Sequence, residues 1–117
     1  MNDLKEYIRF ILIENIIKCG RCYELAFKFV KDNNDNSNIK LAHGQLKTSV
    51  RHIKNHAWIE SLLPTGQINI YDPSANIFSL KEDLKKKNIN YIKEAEYSAE
   101  EMMINALKVK HFGPWHK

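Results

Sequence analysis

Three short stretches hold the side chains whose types and spacing could do chemistry: Gly20-Arg21-Cys22-Tyr23, His56-Ala57-Trp58-Ile59-Glu60 and Tyr71-Asp72-Pro73-Ser74. In chain order they supply a thiol, an imidazole and a carboxylate. A cysteine where a helix begins faces backbone N–H groups with no partner inside the helix, and also the positive end of the helix dipole. Both favour thiolate over thiol. The same N–H groups can hold a developing oxyanion. An imidazole within reach of the sulfur can take its proton, and a carboxylate on the far ring nitrogen fixes tautomer and orientation. Cys22, His56 and Asp72 are thus candidates for nucleophile, general base and acid, and orienting group. Each also has a plain structural role to compete with: a buried thiol packs as a small hydrophobe, a strand histidine sits hydrogen-bonded, and an aspartate before proline closes a turn. Trp58 and Glu60 share the His56 face by strand alternation, so Trp58 is either a wall of a substrate groove or a core tryptophan.

The elements that must position these groups follow from periodicity. Leu4, Tyr7, Ile8, Ile11, Leu12 and Ile16 recur at helical spacing behind Asn2-Asp3, which predicts an amphipathic helix over residues 4–17. Gly20 interrupts the pattern, and a second helix begins at Cys22, with Leu25, Ala26, Phe29 and Val30 on one stripe, and ends in the polar loop 32–38. Beyond it the period changes towards two, predicting strands over 39–46, 56–62 and 67–72, with Pro64-Thr65-Gly66 as a hairpin turn. Gly44 in the first of these strands, next to His43, either admits a close backbone approach to a substrate or marks a simple bulge. Ser79 with Glu82, and Ser98 with Glu101, have capping-box spacing, so a short helix from residue 80 and a longer one over 99–110 are predicted, with a strand over 89–97 between them. The aromatic tail His111-Phe112-Gly113-Pro114-Trp115 either caps the core or covers the site. The expected fold class is α+β: N-terminal helices packed on an antiparallel sheet.

The hairpin allows a geometric test. Opposite residues in an antiparallel pair have a constant index sum, which is 128 or 129 if the turn is centred on Pro64-Thr65. A sum of 128 sets His56 directly opposite Asp72, with Cβ atoms about 4.5–5.5 Å apart, whereas 129 puts the two on opposite faces.

Composition bounds the function classes. The chain has 117 residues, 44% hydrophobic and 27% charged, as expected of a single globular domain over 1–117 with a real core. Its net charge of +4 comes mostly from lysines interspersed with acids, and it lacks the arginine-rich, aromatic-interleaved stripe of a nucleic-acid surface, so no nucleic-acid partner is expected. The apolar stretch 10–17 is broken by Glu14 and Asn15, so neither a membrane span nor a targeting segment is expected. With only Cys19 and Cys22, a disulfide-stapled secreted scaffold is excluded, and a reducing cytoplasmic setting is the default.

Gly-x-Cys at a helix start, His-Ala-Trp-Ile-Glu on a strand and Tyr-Asp-Pro-Ser closing the next strand resemble the catalytic core of transglutaminase-like proteins, within the wider papain-like cysteine enzymes. The resemblance covers residues 20–76. It implies a papain-like or transglutaminase-like core with Cys22 as nucleophile, His56 as general base and acid, and Asp72 as its orienter. The implied activity is that of a thiol protease, amidase or glutamine deamidase working through a thioester acyl-enzyme, on a peptide or protein amide, with no cofactor and no metal. Papain-like proteases carry a glutamine where this chain has Ile16; Asn15 or Gln45 are the candidate replacements as oxyanion donors beside the Cys22 N–H. Transglutaminase cores often carry a tryptophan where this chain has Ile68, Asn69 and Ile70.

Other function classes use the same residues. Cys19-Gly20-Arg21-Cys22 is a C-x-x-C, which reads as a redox pair, or as half of a zinc site completed by His52 and His56. A catalytically inactive papain-like binding module is a further alternative. In the nucleophile reading Cys19 is dispensable, in the redox reading it is the partner thiol, and in the zinc reading it is a ligand.

Overall fold

The computed structural model describes residues 21–115. The helix expected over 4–17, together with Asn15 and Cys19, lies outside the described residues. The order of elements is helix α1 (Cys22–Asp32), strands β1 (Ile39–Ser49), β2 (His52–Leu62), β3 (Ile68–Asp72) and β4 (Ile77–Leu80), helix α2 (Lys81–Lys86), strand β5 (Asn90–Tyr97) and helix α3 (Ala99–Val109). The strands form one antiparallel sheet in the order β4-β3-β2-β1-β5. The α+β expectation holds at this level. Among the described residues no helix is long and apolar enough to cross a membrane.

Alternation along the strands sends successive side chains to two cores, one on each face of the sheet. On the first face Ala42, Leu46, Trp58, Ile70 and Tyr91 pack with Leu84 of α2. On the second, Leu41, Ala57 and Ile59 meet Ala26, Phe27 and Val30 of α1 and Met102 of α3. The buried stripe of α1 is Cys22, Ala26, Phe27 and Val30, so the helix is rotated slightly from the Leu25/Phe29 stripe that periodicity suggests, and Cys22 becomes its first buried residue.

The β2–β3 register differs from both expected values. Ile59 lies opposite Tyr71 and Glu60 opposite Ile70, an index sum of 130. The reason is the turn: Leu63 accepts from the Gly66 N–H at 2.9 Å and donates to the Gln67 carbonyl at 2.9 Å, while Gly66 sits at φ +87°. Pro64, Thr65 and Gly66 therefore form a three-residue loop with glycine in the left-handed position, and the register moves one step beyond 129. Because 130 has the parity of 128, His56 and Asp72 stay on one face.

Two capping expectations divide. Ser98 and Glu101 form a reciprocal capping box at the start of α3, with bonds of 3.1 and 2.9 Å. The Ser79 box does not form, because Ser79 is paired with Ile70 in β4, a strand that periodicity did not reveal, and α2 starts after Leu80 without a side-chain cap. At Gly44 the bulge reading applies: the β1–β5 register shifts between His43 and Gly44, and a Cβ at Gly44 would lie 2.0 Å from the Ile92 carbonyl oxygen.

Candidate active site

Asp72 is the last residue of β3, and the observed register brings it level with Trp58, so His56 lies one pleat step further along β2 on the same face. That diagonal offset is within side-chain reach. His56 Nε2 and Asp72 Oδ2 are 2.6 Å apart, and both side chains are fully buried. The other carboxylate oxygen closes a turn around Pro73: Asp72 Oδ1 accepts from the Ser74 N–H at 3.1 Å and from the Ser74 hydroxyl at 2.7 Å. Turn residue and histidine partner are thus the same side chain, with one oxygen for each task.

A fourth donor comes from β5. The Tyr91 hydroxyl donates to Asp72 Oδ2 at 2.8 Å, on the same oxygen that faces His56. Tyr91 pairs with Leu46 of β1, and its side chain passes over β1 towards β2 and β3. Its path lies beside Ala42 and Gly44, the β1 residues opposite Trp58 and His56, which carry at most a methyl group.

These contacts set the charges. Burial pulls the His56 pKa down, but the Asp72 charge and hydrogen bond outweigh it, with further help from the Cys22 thiol, and the result is raised from 6.5 to about 9. Burial alone would push Asp72 up; His56, then Ser74 and Tyr91, hold it below the usual carboxylate value. Tyr91 itself is held well above its ordinary value by burial and by the Asp72 charge, so it stays a neutral donor. With the imidazole protonated, His56 and Asp72 form a buried, hydrogen-bonded ion pair.

Cys22 opens α1 and is 2% exposed. The helix has no side-chain cap, with Arg21 at the N-cap position, so its first-turn N–H groups are not taken up by a capping side chain. The thiol lies near enough to His56 to bias its charge, yet His56 Nδ1 has no well-aligned hydrogen-bond partner among the described residues. Asp72 occupies Nε2, which leaves Nδ1 as the ring nitrogen that no group among the described residues holds. Tyr23, next in sequence, is raised to about 12 by burial and then by the charges of Cys22 and Glu94.

The remaining candidates are placed as follows. Trp58 is fully buried, stacked on the His56 ring (centroids 6.3 Å apart, planes at 22°) and donating to Glu60 Oε2 at 3.0 Å, so it stands behind the imidazole in the core and not on an open groove. Glu60 is held by Trp58, Lys81 and Lys93, away from His56. Gln45 is half-buried on β1, opposite Asn55 and one residue from Gly44. His52 is exposed near the far end of β2, and no group of three His, Cys, Asp or Glu among the described residues could hold a metal ion.

The aromatic tail packs against the start of α1. Phe112 and Trp115 contact Phe27, and Trp115 also lies 5.0 Å from the ring of buried His43, which Tyr23 and Tyr97 flank at 5.0 and 5.1 Å. Gly113 is required there: φ is +124°, and a Cβ would lie 2.6 Å from His43. Helix α1 and Phe112 border a cavity of about 250 Å³, lined in part by Arg21, Glu24 and Lys28.

Sequence reasoning did not single out Ser74 or Tyr91 as partners of Asp72. Ser74 had a local signal, two residues after an aspartate in a proline turn. Tyr91 had none, because its contact crosses two strands. The chain matches no protein-family profile, no curated protein and no solved structure.

Proposed function

We propose that the protein is a cysteine-dependent hydrolase or acyltransferase with a papain-like or transglutaminase-like core, acting on amide or peptide bonds of a peptide or protein substrate in the cytoplasm. The observation that carries this reading is the buried 2.6 Å His56–Asp72 bond, made through Nε2, with Cys22 at the start of α1 acting on the same imidazole.

The chemistry follows from that arrangement. Cys22 Sγ attacks the amide carbonyl carbon while its proton resides on His56 Nδ1, and the first-turn N–H groups of α1 hold the oxyanion. The C–N bond then breaks, and the amine leaves with the Nδ1 proton. A water or amine gives its proton to Nδ1 as it attacks the thioester, and the sulfur recovers that proton as it departs. Asp72 remains an anion on Nε2–H throughout and stabilises the imidazolium.

Incubation with a glutamine-containing peptide or an activated ester, followed by mass spectrometry of the Cys22 peptide, tests the reading. A hydroxylamine-labile acyl adduct on Cys22 is expected, retained in Cys19→Ser and lost in His56→Ala. Stoichiometric zinc lost with Cys19, or turnover that requires a reversible Cys19–Cys22 disulfide, would overturn it in favour of the metal or redox class.

A further inference from the structure

We propose that Tyr91 is a positioning residue for the site: its hydroxyl and the His56 imidazole share Asp72 Oδ2, so that β5 fixes the carboxylate against which the imidazole is aligned. The assignment rests on the proposed acyl-transfer chemistry and extends it to a residue two strands away.

A carboxylate offers about four lone-pair sites. Here all are used in pairs: His56 Nε2 at 2.6 Å and Tyr91 Oη at 2.8 Å on Oδ2, and the Ser74 N–H at 3.1 Å and Ser74 Oγ at 2.7 Å on Oδ1. The Ser74 pair comes from the same turn as Asp72 and moves with it. His56 is the group to be positioned. Among the described residues Tyr91 alone ties the carboxylate by a hydrogen bond to an element outside the β2–β3 hairpin, which carries the imidazole, and its following turn, and Leu46 on β1 is its strand partner. Its ring is wedged edge-on against Trp58, 5.0 Å away at 66°, and 6.2 Å from His56, so the phenol has little freedom to turn away. The groups facing the carboxylate are thus His56 from β2, Ser74 from the following turn and Tyr91 from β5, with Cys22 of α1 beyond the imidazole. Without the hydroxyl the carboxylate can rock about Ser74, the imidazole loses its fixed plane, and Nδ1 is no longer held towards the sulfur. A donor that favours the charged carboxylate is lost as well, so Asp72 takes up a proton at higher pH.

The test uses the full chain in the Cys19→Ser background, with iodoacetamide as the probe of Cys22 and the low-field proton resonance of His56 Nε2–H as the probe of the Asp72 bond. In Tyr91→Phe the resonance persists at neutral pH but disappears on acidification about one pH unit earlier than in the parent. Alkylation of Cys22 at neutral pH slows roughly tenfold. A purely packing role for the ring predicts neither change, because phenylalanine keeps the ring. Should Tyr91→Phe not fold, Tyr91→3-fluorotyrosine supplies a more acidic donor, and the acid midpoint of the resonance moves down instead of up. An unchanged midpoint in the variant studied overturns the assignment. If His56→Ala leaves the alkylation rate unaltered, the acyl-transfer reading fails, and the midpoint of the resonance alone then decides the role of Tyr91.

Discussion

The charge on His56 is the property from which the pH behaviour follows. A histidine whose folded pKa is raised to about 9 binds its proton more tightly than the unfolded chain does, so its contribution to stability is complete below about 6.5 and is lost as pH rises through about 9. Asp72 is depressed, so its contribution is present above its ordinary value of 3.8 and is lost as pH falls further. The melting temperature is therefore expected to be highest between about pH 4 and 6.5 and to decline towards 9. In His56→Gln that alkaline decline should flatten, and a decline equal to the parent's would show that another group titrates. On the proposed acyl-transfer chemistry turnover should fall through the same alkaline range, because there the leaving amine takes the Nδ1 proton. Asp72→Asn exchanges one carboxylate oxygen for an NH₂ that must face either the Ser74 donors or those of His56 and Tyr91. It is expected to cost about 1–3 kcal/mol of stability and to lower turnover by orders of magnitude through the wrong imidazole tautomer. A folded, fully active Asp72→Asn would leave Asp72 as a turn residue only.

At the scale of elements, the boundaries that were legible in the sequence are those with a local cause. The Ser98 capping box marks α3 from four residues, and Ser98→Ala should lower stability by about 1 kcal/mol, measurable by urea denaturation. The Pro64-Thr65-Gly66 turn was legible as a turn, but its register depends on whether glycine is counted inside the loop, which the dihedral at Gly66 decides. Strand β4 was illegible because four residues carry too few alternations to separate them from the Ser79 cap pattern, and it is pairing with β3 that makes Ile77–Leu80 a strand. The site divides in the same way. His56, Asp72 and Cys22 stand out by residue type and spacing, whereas Tyr91 depends on a bulged β1–β5 register that no short window contains. Gly44 tests that register: Gly44→Val drives a side chain into the Ile92 carbonyl and should unpair β5, with loss of the Tyr91 bond to Asp72.

Across the whole molecule, the sheet separates a helix-covered face, where α1 and α3 pack, from the face on which Asp72, Trp58 and Tyr91 meet α2. The core of the α2 face is also the rear wall of the candidate site, so core and chemistry are not independent there. Trp58→Ala is expected to cost about 3–5 kcal/mol and to abolish Cys22 reactivity even under conditions where the chain remains folded. Its ring lies nearly parallel to the imidazole that it supports, and this has an optical consequence. A protonated imidazole beside an excited indole accepts an electron and quenches its emission, and a neutral one does so far less. Trp58 is therefore a built-in fluorescent reporter of the charge state of His56. With Trp115→Phe removing the chain's other tryptophan, emission should rise with a midpoint near pH 9, giving a direct reading of the imidazole in the unlabelled protein.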